Sequence, residues 1–503
     1  MNLTKRLDNY ELTIFFWIAF IRFNLYTFEN QNRRRMKKIL FICLLLICFC
    51  GKAQSNKNIH AIANFNDTNL SRFGVDGGDI WNDCAAWHDP RNNREYAIAG
   101  STDSIYFFDI TDNKMVKSDV EYGSCNFATN RDYEVYQHYV YCVSDRATGV
   151  GQLQIFDLNY LPDSVHKVYE SNSLSFFSHT IFIDSASKRM YMCSNTKTSG
   201  LSAMDVVSIA DPINPVFLAE LDVPKNGTGQ KLFTRVHEMY ARNDTVYLSC
   251  EYPGLFIYDL RNLNQQKILS VISNYPQNGY NHSSWLDDSG KYLMFTDENQ
   301  GLSIKMYDVS DITNPKFMSV FNSSPQAMPH NAFWKGKYGI ASSYQDGVVC
   351  WNLSDPYNPI KAGWFDTYQE NPKIYSGFKG CWGVYPYLPS NKIIASDLRS
   401  GIWVLKIDSS AANDMNELEM ISHLNLFPNP FKNIISINTG QNLESISISD
   451  IQGKVWVQKN LKLWPRNNTF EVDTENWPAG IYFAEVITDK GRTFKKAIKI
   501  QGE

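Results

Sequence analysis

Short apolar runs that end at a turn recur along this chain at nearly constant spacing. Each run alternates apolar and polar or small residues, and most end in Asp, Asn or Ser followed by further turn-forming residues. Seven such runs lie roughly 45–55 residues apart. They are SIYFFD (104–109), QLQIFD (152–157), LSAMDVVS (201–208), GLFIYD (254–259), LSIKMYD (302–308), GVVCWN (347–352) and GIWVLKI (401–407).

Each run belongs to a larger repeated unit of four short strands. Two strand-like runs precede it, and a fourth follows most of the turns, as in KFMSVF (316–321) and IKAGWF (360–365). Four short strands repeated at this period are typical of a β-propeller, so the fold class is all-β. Seven units predict seven blades, and the pattern alone leaves six or eight open. The recurrent aspartates that end the third strands are predicted to cap the turns that follow; they are Asp109, Asp157, Asp259 and Asp308.

The two ends of the repeat region predict how the ring closes. The last unit shows only three strands, and an additional strand-like run, NIHAIANF (58–65), precedes the first unit. We expect this run to be the outer strand of the last blade, because such pairing removes unpaired strand edges.

The N-terminal segment has the pattern of a secretory signal peptide. A basic cluster (33–38) precedes the apolar run ILFICLLLICFC (39–50) and small residues near Ala53. We assign the signal peptide to 36–54, with Met36 as the initiator and 1–35 as a mis-assigned extension. A genuine cytoplasmic segment at 1–35 is the alternative.

The C-terminal part has a different pattern. Residues 410–423 are small and polar, which is typical of a linker. Residues 424–503 alternate regularly between Pro- and Gly-containing turns, which predicts a small β-sandwich. The propeller is therefore assigned to 55–409.

Charge and cysteine content exclude some functions. The formal net charge is -4, so nothing indicates nucleic-acid binding. Seven of the ten cysteines follow the signal region, and they include no C-x-x-C pair, so a zinc site of that type is not indicated. We expect few or no disulfides, and no cofactor is predicted.

Four histidines occupy the same place in consecutive units, at the start of the first strand. They are His179, His237, His282 and His330, and the aligned residues elsewhere include Arg131 and Trp382. These six are the candidate ligand-binding residues at the channel mouth. A polar or acidic turn residue follows each histidine 14–16 positions later, namely Asn195, Glu251, Asp297 and Asp346.

Two interpretations of the histidines stay open. In the structural one, each histidine hydrogen-bonds the turn residue of its own or a neighbouring blade. In the functional one, the four converge on a ligand such as a metal or an anion. The constant spacing favours the structural interpretation, so neither a metal site nor a catalytic residue is assigned. No G-x-S-x-G, H-E-x-x-H, Walker or EF-hand motif is present.

The repeats resemble a known family. The pattern G-L-x-I-x-D-x-S-D-P-x-N-P, as in 301–315 and 347–359, resembles the LVIVD-repeat proteins. The ordered set from Asp79 to Ile407 is similar to the choice-of-anchor B family. The third unit departs from the pattern, with Ser208 where Asp is usual. The resemblance implies a propeller with a C-terminal anchor and implies no particular activity.

The C-terminal module also resembles a known family. Its motifs PNP (428–430), DIQGK (450–454), AGIY (479–482) and the lysine-rich last strand are similar to the type A sorting domain of the type IX secretion system. This resemblance implies a Bacteroidetes-type source, a partner in the secretion machinery, and export through the periplasm to the surface or medium. Cleavage of the domain and surface attachment, or release, are then expected.

The sequence therefore predicts a secreted or cell-surface propeller that binds an unknown extracellular ligand, glycan or protein. The alternative is an exported hydrolase or lyase with a His-rich site at the channel mouth. A structural surface-layer component is the third possibility.

Overall fold

The structure is a computed structural model of the 503-residue chain. It describes residues 56–74, 77–145, 152–368, 370, 374–408, 424–439, 443–450, 454–460, 469–488 and 491–501. The predicted extension (1–35), signal peptide (36–54) and linker (410–423) lie outside the described residues. Within the described residues, no helix is both long enough and apolar enough to cross a membrane.

Seven antiparallel sheets are formed by the described residues between Asn56 and Ile407. The region begins with two short strands, β1 (Asn56–Lys57) and β2 (Ile59–Phe65). Sheet 1 comprises β3 (Trp81–Asp89), β4 (Arg94–Ser101), β5 (Ser104–Asp109) and β6 (Val116–Tyr122). Sheet 2 comprises β7 (Asn130–Tyr136), β8 (Tyr139–Asp145), β9 (Leu153–Asp157) and β10 (His166–Ser171). Sheet 3 comprises β11 (Thr180–Asp184), β12 (Arg189–Lys197), β13 (Gly200–Ser208) and β14 (Val216–Glu220).

The later sheets repeat this order. Sheets 4 and 5 comprise β15 (Glu238–Arg242), β16 (Thr245–Ser249), β17 (Leu255–Asp259) and β18 (Lys267–Ile272); and β19 (Asn281–Leu286), β20 (Tyr292–Asp297), β21 (Ile304–Asp308) and β22 (Lys316–Phe321). Sheet 6 comprises β23 (Ala332–Lys335), β24 (Tyr338–Ser342), β25 (Val348–Asn352), β26 (Ile360–Phe365) and β1; sheet 7 comprises β27 (Cys381–Tyr385), β28 (Lys392–Asp397), β29 (Gly401–Ile407) and β2. Two 3₁₀ turns, Leu158–Tyr160 and Leu263–Gln265, interrupt the connections.

The sheets form a closed ring around their first strands. Each first strand contacts the next from β3 to β23, and β27 contacts both β24 and β3. The hydrophobic core lies between neighbouring sheets, as where Trp81 and Phe108 of sheet 1 pack with Ile402 of sheet 7. All seven cysteines in the described residues are buried with free thiols. This arrangement is a β-propeller, as the sequence predicts.

The predicted ring closure is confirmed. Strand β2 pairs with β29 in antiparallel register, with Ile59 opposite Ile407 and Phe65 opposite Ile402. Ile59 is buried in the core shared by sheets 6 and 7. The chain segment before the first unit thus supplies the outer strand of the last sheet.

The predicted turn-capping role of the recurrent aspartates is also confirmed. The side chains of Asp109, Asp157 and Asp259 accept hydrogen bonds from the backbone N–H two residues later, at 2.9, 2.9 and 3.0 Å. Asp308 accepts the same bond from Ser310 at 2.9 Å. These turns let the chain leave each third strand and return as the fourth.

The C-terminal module consists of two sheets with one core. The first contains β30 (Leu424–Phe427), β31 (Ile434–Thr439) and β34 (Thr469–Asp473), and the second contains β32 (Leu443–Asp450), β33 (Val455–Asn460), β35 (Gly480–Thr488) and β36 (Gly491–Lys499). Phe431, Ile437, Ile448 and Tyr482 are buried between them. The predicted small β-sandwich is confirmed.

Candidate functional site

Four histidines lie side by side where the first strands of sheets 3 to 6 begin. Successive ring centroids from His179 through His237 and His282 to His330 are 4.2, 4.3 and 4.2 Å apart. All four side chains are buried. We call this set the histidine arc; it forms because the aligned positions of adjacent first strands meet at one level of the ring.

The first two histidines are connected by hydrogen bonds. The Nε2 atoms of His179 and His237 are 3.0 Å apart, and His179 Nδ1 lies 3.0 Å from Asp145 Oδ2. His237 Nδ1 lies 2.9 Å from the Tyr280 hydroxyl, which donates to Glu251 Oε1 at 3.0 Å. Because that hydroxyl gives its one proton to Glu251, His237 Nδ1 carries a proton and its Nε2 presents a lone pair.

The other two histidines converge on Glu298. His282 Nε2 is 3.8 Å from Glu298 Oε2, and His330 Nε2 is 3.7 Å from Glu298 Oε1. Tyr344 donates its hydroxyl proton to the same Oε1. His282 Nδ1 has no hydrogen-bond partner, although the residue is only 1% exposed.

The structural interpretation, in which each histidine hydrogen-bonds the turn residue of its own or a neighbouring blade, describes His179, which lies 3.0 Å from Asp145 of the neighbouring sheet, but not His282 or His330. Asp297 bonds Lys305 and Tyr275 instead of His282, and Asp346 bonds Ser323 and Tyr375 instead of His330. Asn195 bonds the Asp205 side chain. His237 is connected to Glu251 through the Tyr280 hydroxyl. The direct acidic partner of His179 is Asp145 of the neighbouring sheet. The histidines therefore point along the ring, while Asn195 and Asp297 bond within their own sheets.

Arg131 and Trp382 occupy different surroundings. Arg131 donates to the backbone carbonyls of Ser101, Thr102 and Cys125 at 3.0, 2.8 and 2.7 Å, so its guanidinium stabilises loops of sheet 1. Trp382 extends the arc: its ring lies 5.6 Å from that of His330, and its carbonyl oxygen accepts from His330 Nδ1 at 2.8 Å. Of the six candidate residues, Arg131 alone stands apart from the arc.

The arc is electrically neutral over much of its length at physiological pH. Burial and the neighbouring imidazoles hold the pKa of His237 and His282 well below the ordinary histidine value. Burial lowers the pKa of His330 to about 3. Neutral imidazoles offer lone pairs, which suits them to hold a proton donor or a metal ion.

A cavity of about 490 Å³ lies next to the arc, inside the ring of first strands. Residues that directly follow the aligned positions line it, including Asp83, Asp132, Thr180 and Glu238. None of the four histidines lines it. The cavity extends to the exposed turn residues Ser185 and Asn243, so it reaches solvent at the end remote from the arc.

Five carboxyl groups line this cavity, and four of them, Asp83, Asp132, Glu134 and Glu238, have a raised pKa. Burial and the charge of Asp132 raise the pKa of Asp83 well above its ordinary value, and burial raises the pKa of Asp132 to about 6. Burial and nearby carboxylates likewise raise the pKa of Glu134 and Glu238. In the described part of the chain, no lysine or arginine forms an ion pair with any of the four. The cavity therefore holds buried carboxyl groups whose ionised forms no such ion pair compensates.

An aromatic wall completes the cavity. Ring centroids of Tyr240 and Trp285 are 4.8 Å apart, as are those of Trp285 and Phe333. Phe182, Tyr385 and Tyr387 line the same wall. Arg242, the one arginine of the lining, donates to the Tyr240 hydroxyl and to the Asp287 carbonyl oxygen. The cavity thus combines carboxylates with aromatic faces.

Sequence reasoning missed these carboxylates. A signal was present: Asp83, Asp132 and Glu238 each come one position after the aligned Asn82, Arg131 and His237. Neighbouring residues of one strand point in different directions. The residues that directly follow the aligned positions therefore form a second set of aligned side chains around the ring, next to the histidines. Comparing that second position across units would have shown the acidic residues together.

Comparisons with known proteins bear chiefly on the C-terminal module. Residues 425–501 match the family described as the secretion system C-terminal sorting domain. Among curated proteins, no significant match to the chain was found. One similar solved structure is the β-propeller domain of Cps50 (Swd1) from Myceliophteria thermophila, at 12% identity and a TM-score of 0.45, covering 65% of this chain and 96% of that one. The sorting domain indicates export by the type IX system to the cell surface or the extracellular space.

Proposed function

We propose that this exported propeller is a binding protein that holds a small organic cation in the cavity inside its ring. The observation that carries the proposal is the combination of Asp83, Asp132, Glu134 and Glu238 with an aromatic wall. Carboxylates attract an ammonium group, and the faces of Trp and Tyr rings add cation–π attraction. The cavity volume is in the range of small-molecule sites.

The chemistry of binding follows from the raised pKa values. Without a ligand, the buried carboxyl groups reduce their mutual repulsion by holding protons. An ammonium ion favours the ionised forms, so its binding releases protons to solvent. Selectivity over a neutral molecule of the same shape arises because only the cation compensates the buried negative charge.

The family assignment of the propeller belongs to the same proposal. The recurrent G-L-x-I-x-D-x-S-D-P-x-N-P pattern supports membership in the LVIVD-repeat, choice-of-anchor B proteins, and the sorting domain supports a Bacteroidetes-type source with signal-peptide-dependent export. We further propose that the mature protein is attached to the cell surface or released after the sorting domain is cleaved. A glycan or a protein partner is the competing ligand class.

A hydrolase or lyase is the second candidate function. A hydrogen-bonded pair of carboxyl groups with raised pKa values, Asp83 and Asp132, supports it, because such pairs are frequent at catalytic sites. The histidines support it less. They meet a carboxylate, Glu298, but they are buried and do not line the cavity.

Calorimetric titration of the purified full chain tests the proposal. Choline is the probe, and 3,3-dimethylbutan-1-ol is its neutral isostere. We expect saturable binding of choline, no binding of the isostere, and at least roughly tenfold weaker choline binding in Glu134→Gln. Glu121→Gln, on the outer strand β6 away from the cavity, is the matched control and keeps full affinity.

Three results would overturn the proposal. They are equal binding of the alcohol, no binding of choline, and unchanged choline affinity in Glu134→Gln. Specific capture of a glycan on an array, competed by neither probe, would assign the protein to the competing ligand class. Turnover of an ester or glycoside that Asp83→Asn abolishes would favour the enzyme.

A further inference from the structure

Three side chains of sheets 4 and 5 present metal-binding atoms to one another. His237 precedes β15, His282 lies in β19, and Glu298 directly follows β20. One nitrogen or oxygen of each lies within 4.8 Å of the others, and His282 Nε2 is 3.8 Å from Glu298 Oε2. Two imidazoles and one carboxylate are a donor set suited to zinc and similar divalent ions.

A second, independent observation is the unpartnered nitrogen of His282. Its Nδ1 has no hydrogen-bond partner, and the nearest carboxylate oxygen, Glu238 Oε1, is 3.9 Å away. A buried polar atom without a partner destabilises the fold, so such atoms are rare in folded proteins. Coordination of an ion by Nε2 would fix the proton on Nδ1, directed toward Glu238, and histidine ligands are usually held in this way by a carboxylate.

The surrounding groups already orient the other two donors. His237 Nδ1 donates to Tyr280, which is held by Glu251. His237 Nε2 therefore carries a lone pair, which a bound ion would take over from its present partner, His179 Nε2. Glu298 Oε1 accepts from Tyr344, and Oε2 is the oxygen on the side of His282. Hydrogen bonds of this kind around a metal site fix ligand tautomers and rotamers.

We propose that His237, His282 and Glu298 bind one divalent metal ion of the zinc class. Ligand atoms at about 2.1 Å from a tetrahedral ion are about 3.4 Å apart. Small side-chain shifts from the present separations therefore produce the site. His179, whose Nε2 lies 3.0 Å from that of His237, flanks the bound ion. None of the three ligands lines the proposed organic-cation cavity, and the two proposals share only Glu238, which faces His282 Nδ1 from that lining.

Metal titration of the purified full chain tests the inference. After removal of metals with a chelator, Zn²⁺ is titrated against a chromophoric competitor, and Co²⁺ is added separately for its visible absorption bands. We expect one ion per chain and an intense Co²⁺ spectrum typical of tetrahedral coordination. His282→Gln and Glu298→Gln should each weaken Zn²⁺ binding by at least roughly tenfold. Thermal melts in metal-free buffer establish that both variants are folded.

Two controls separate this site from others. His166→Gln removes an exposed histidine of strand β10 and should leave Zn²⁺ affinity unchanged. Glu134→Gln alters the cavity and should also leave it unchanged, so failure of the cavity proposal and failure of this one are distinguishable. Absence of a stoichiometric ion, or wild-type affinity in both ligand variants, overturns the inference. If the variants do not fold, anomalous diffraction of the Zn²⁺-loaded wild type decides: density elsewhere in the chain refutes the site.

Discussion

Lys305 Nζ lies 2.6 Å from Asp297 Oδ2, and both side chains are completely buried. Asp297 also accepts from the Tyr275 hydroxyl at 3.0 Å. The sequence pattern paired this aspartate with His282, but Lys305 approaches from the adjacent strand β21 and occupies its carboxylate. The ion pair lies inside sheet 5, where burial lowers the pKa of Lys305 from its ordinary value.

The ion pair predicts a large effect of removing one partner alone. Lys305→Met leaves the Asp297 carboxylate buried without its counter-charge, and we expect a loss of about 3–5 kcal/mol in the free energy of unfolding. Adding Asp297→Asn should restore much of the loss, because the uncompensated charge disappears. Thermal melting of the three proteins measures this, with the exposed Lys316→Met as the control. If Lys305→Met were as stable as the wild type, the ion pair would not stabilise the fold.

Short sequence patterns encode the local features of this fold, whereas the contacts between neighbouring sheets are not encoded locally. The repeat, the ring closure by Ile59–Phe65 and the capping role of Asp109 depend on patterns within a few residues or on a missing strand, so the sequence predicts them. The partner of His282 depends on which residues of neighbouring sheets meet at one level. Glu298 is next to the predicted Asp297 in sequence, yet successive strand residues point in different directions, and only Glu298 faces the arc.

The grouping of carboxyl residues in the cavity is likewise not encoded in any local sequence pattern. Asp83, Asp132 and Glu238 come from three sheets and are far apart in sequence, so only the ring geometry brings them together. Each of them taken alone is an ordinary polar residue within a strand. Their shared position within the repeat was the one available signal.

Closure of the ring predicts the next stability effect. Ile59→Ala removes a buried side chain from the core between sheets 6 and 7, and we expect a loss of about 2–5 kcal/mol. Ala61→Ser, at an exposed position of the same strand, is the matched control and should change little. The melting temperature of the full chain measures both. Equal melting temperatures of Ile59→Ala and Ala61→Ser would mean that packing of β2 on the last sheet does not stabilise the ring.

The pKa of Asp132 predicts how cation binding depends on pH. Its value of about 6 means that the carboxyl group is largely protonated at pH 5 and ionised at pH 7. Only the ionised form attracts the ligand, so choline affinity should increase as pH increases through this window, by up to about tenfold per pH unit for each proton released. Asp83, Glu134 and Glu238 face the same cavity with raised pKa values and extend the increase to higher pH.

Calorimetry at pH 5, 6, 7 and 8 measures this dependence. Asp132→Asn should flatten the part of the profile between pH 5 and 7, whereas Glu121→Gln should keep the wild-type profile. Asp184 and Arg242 line the same cavity and are unchanged in both variants. An affinity that is constant or decreases with pH would contradict the carboxylate mechanism.

The sorting domain predicts where a truncated protein accumulates. Deleting 424–503 removes the module that matches the secretion system sorting domain, and we expect the remaining chain to stay in the periplasm of the producing cell. Protease accessibility on intact cells and fractionation measure this, with Lys316→Met in the intact chain as a control that is still exported. In the reciprocal experiment, residues 410–503 fused to a periplasmic reporter should carry it to the surface. Surface display of the truncated chain, together with a reporter that stays inside, would refute the sorting role, because the export signal would then lie in the propeller.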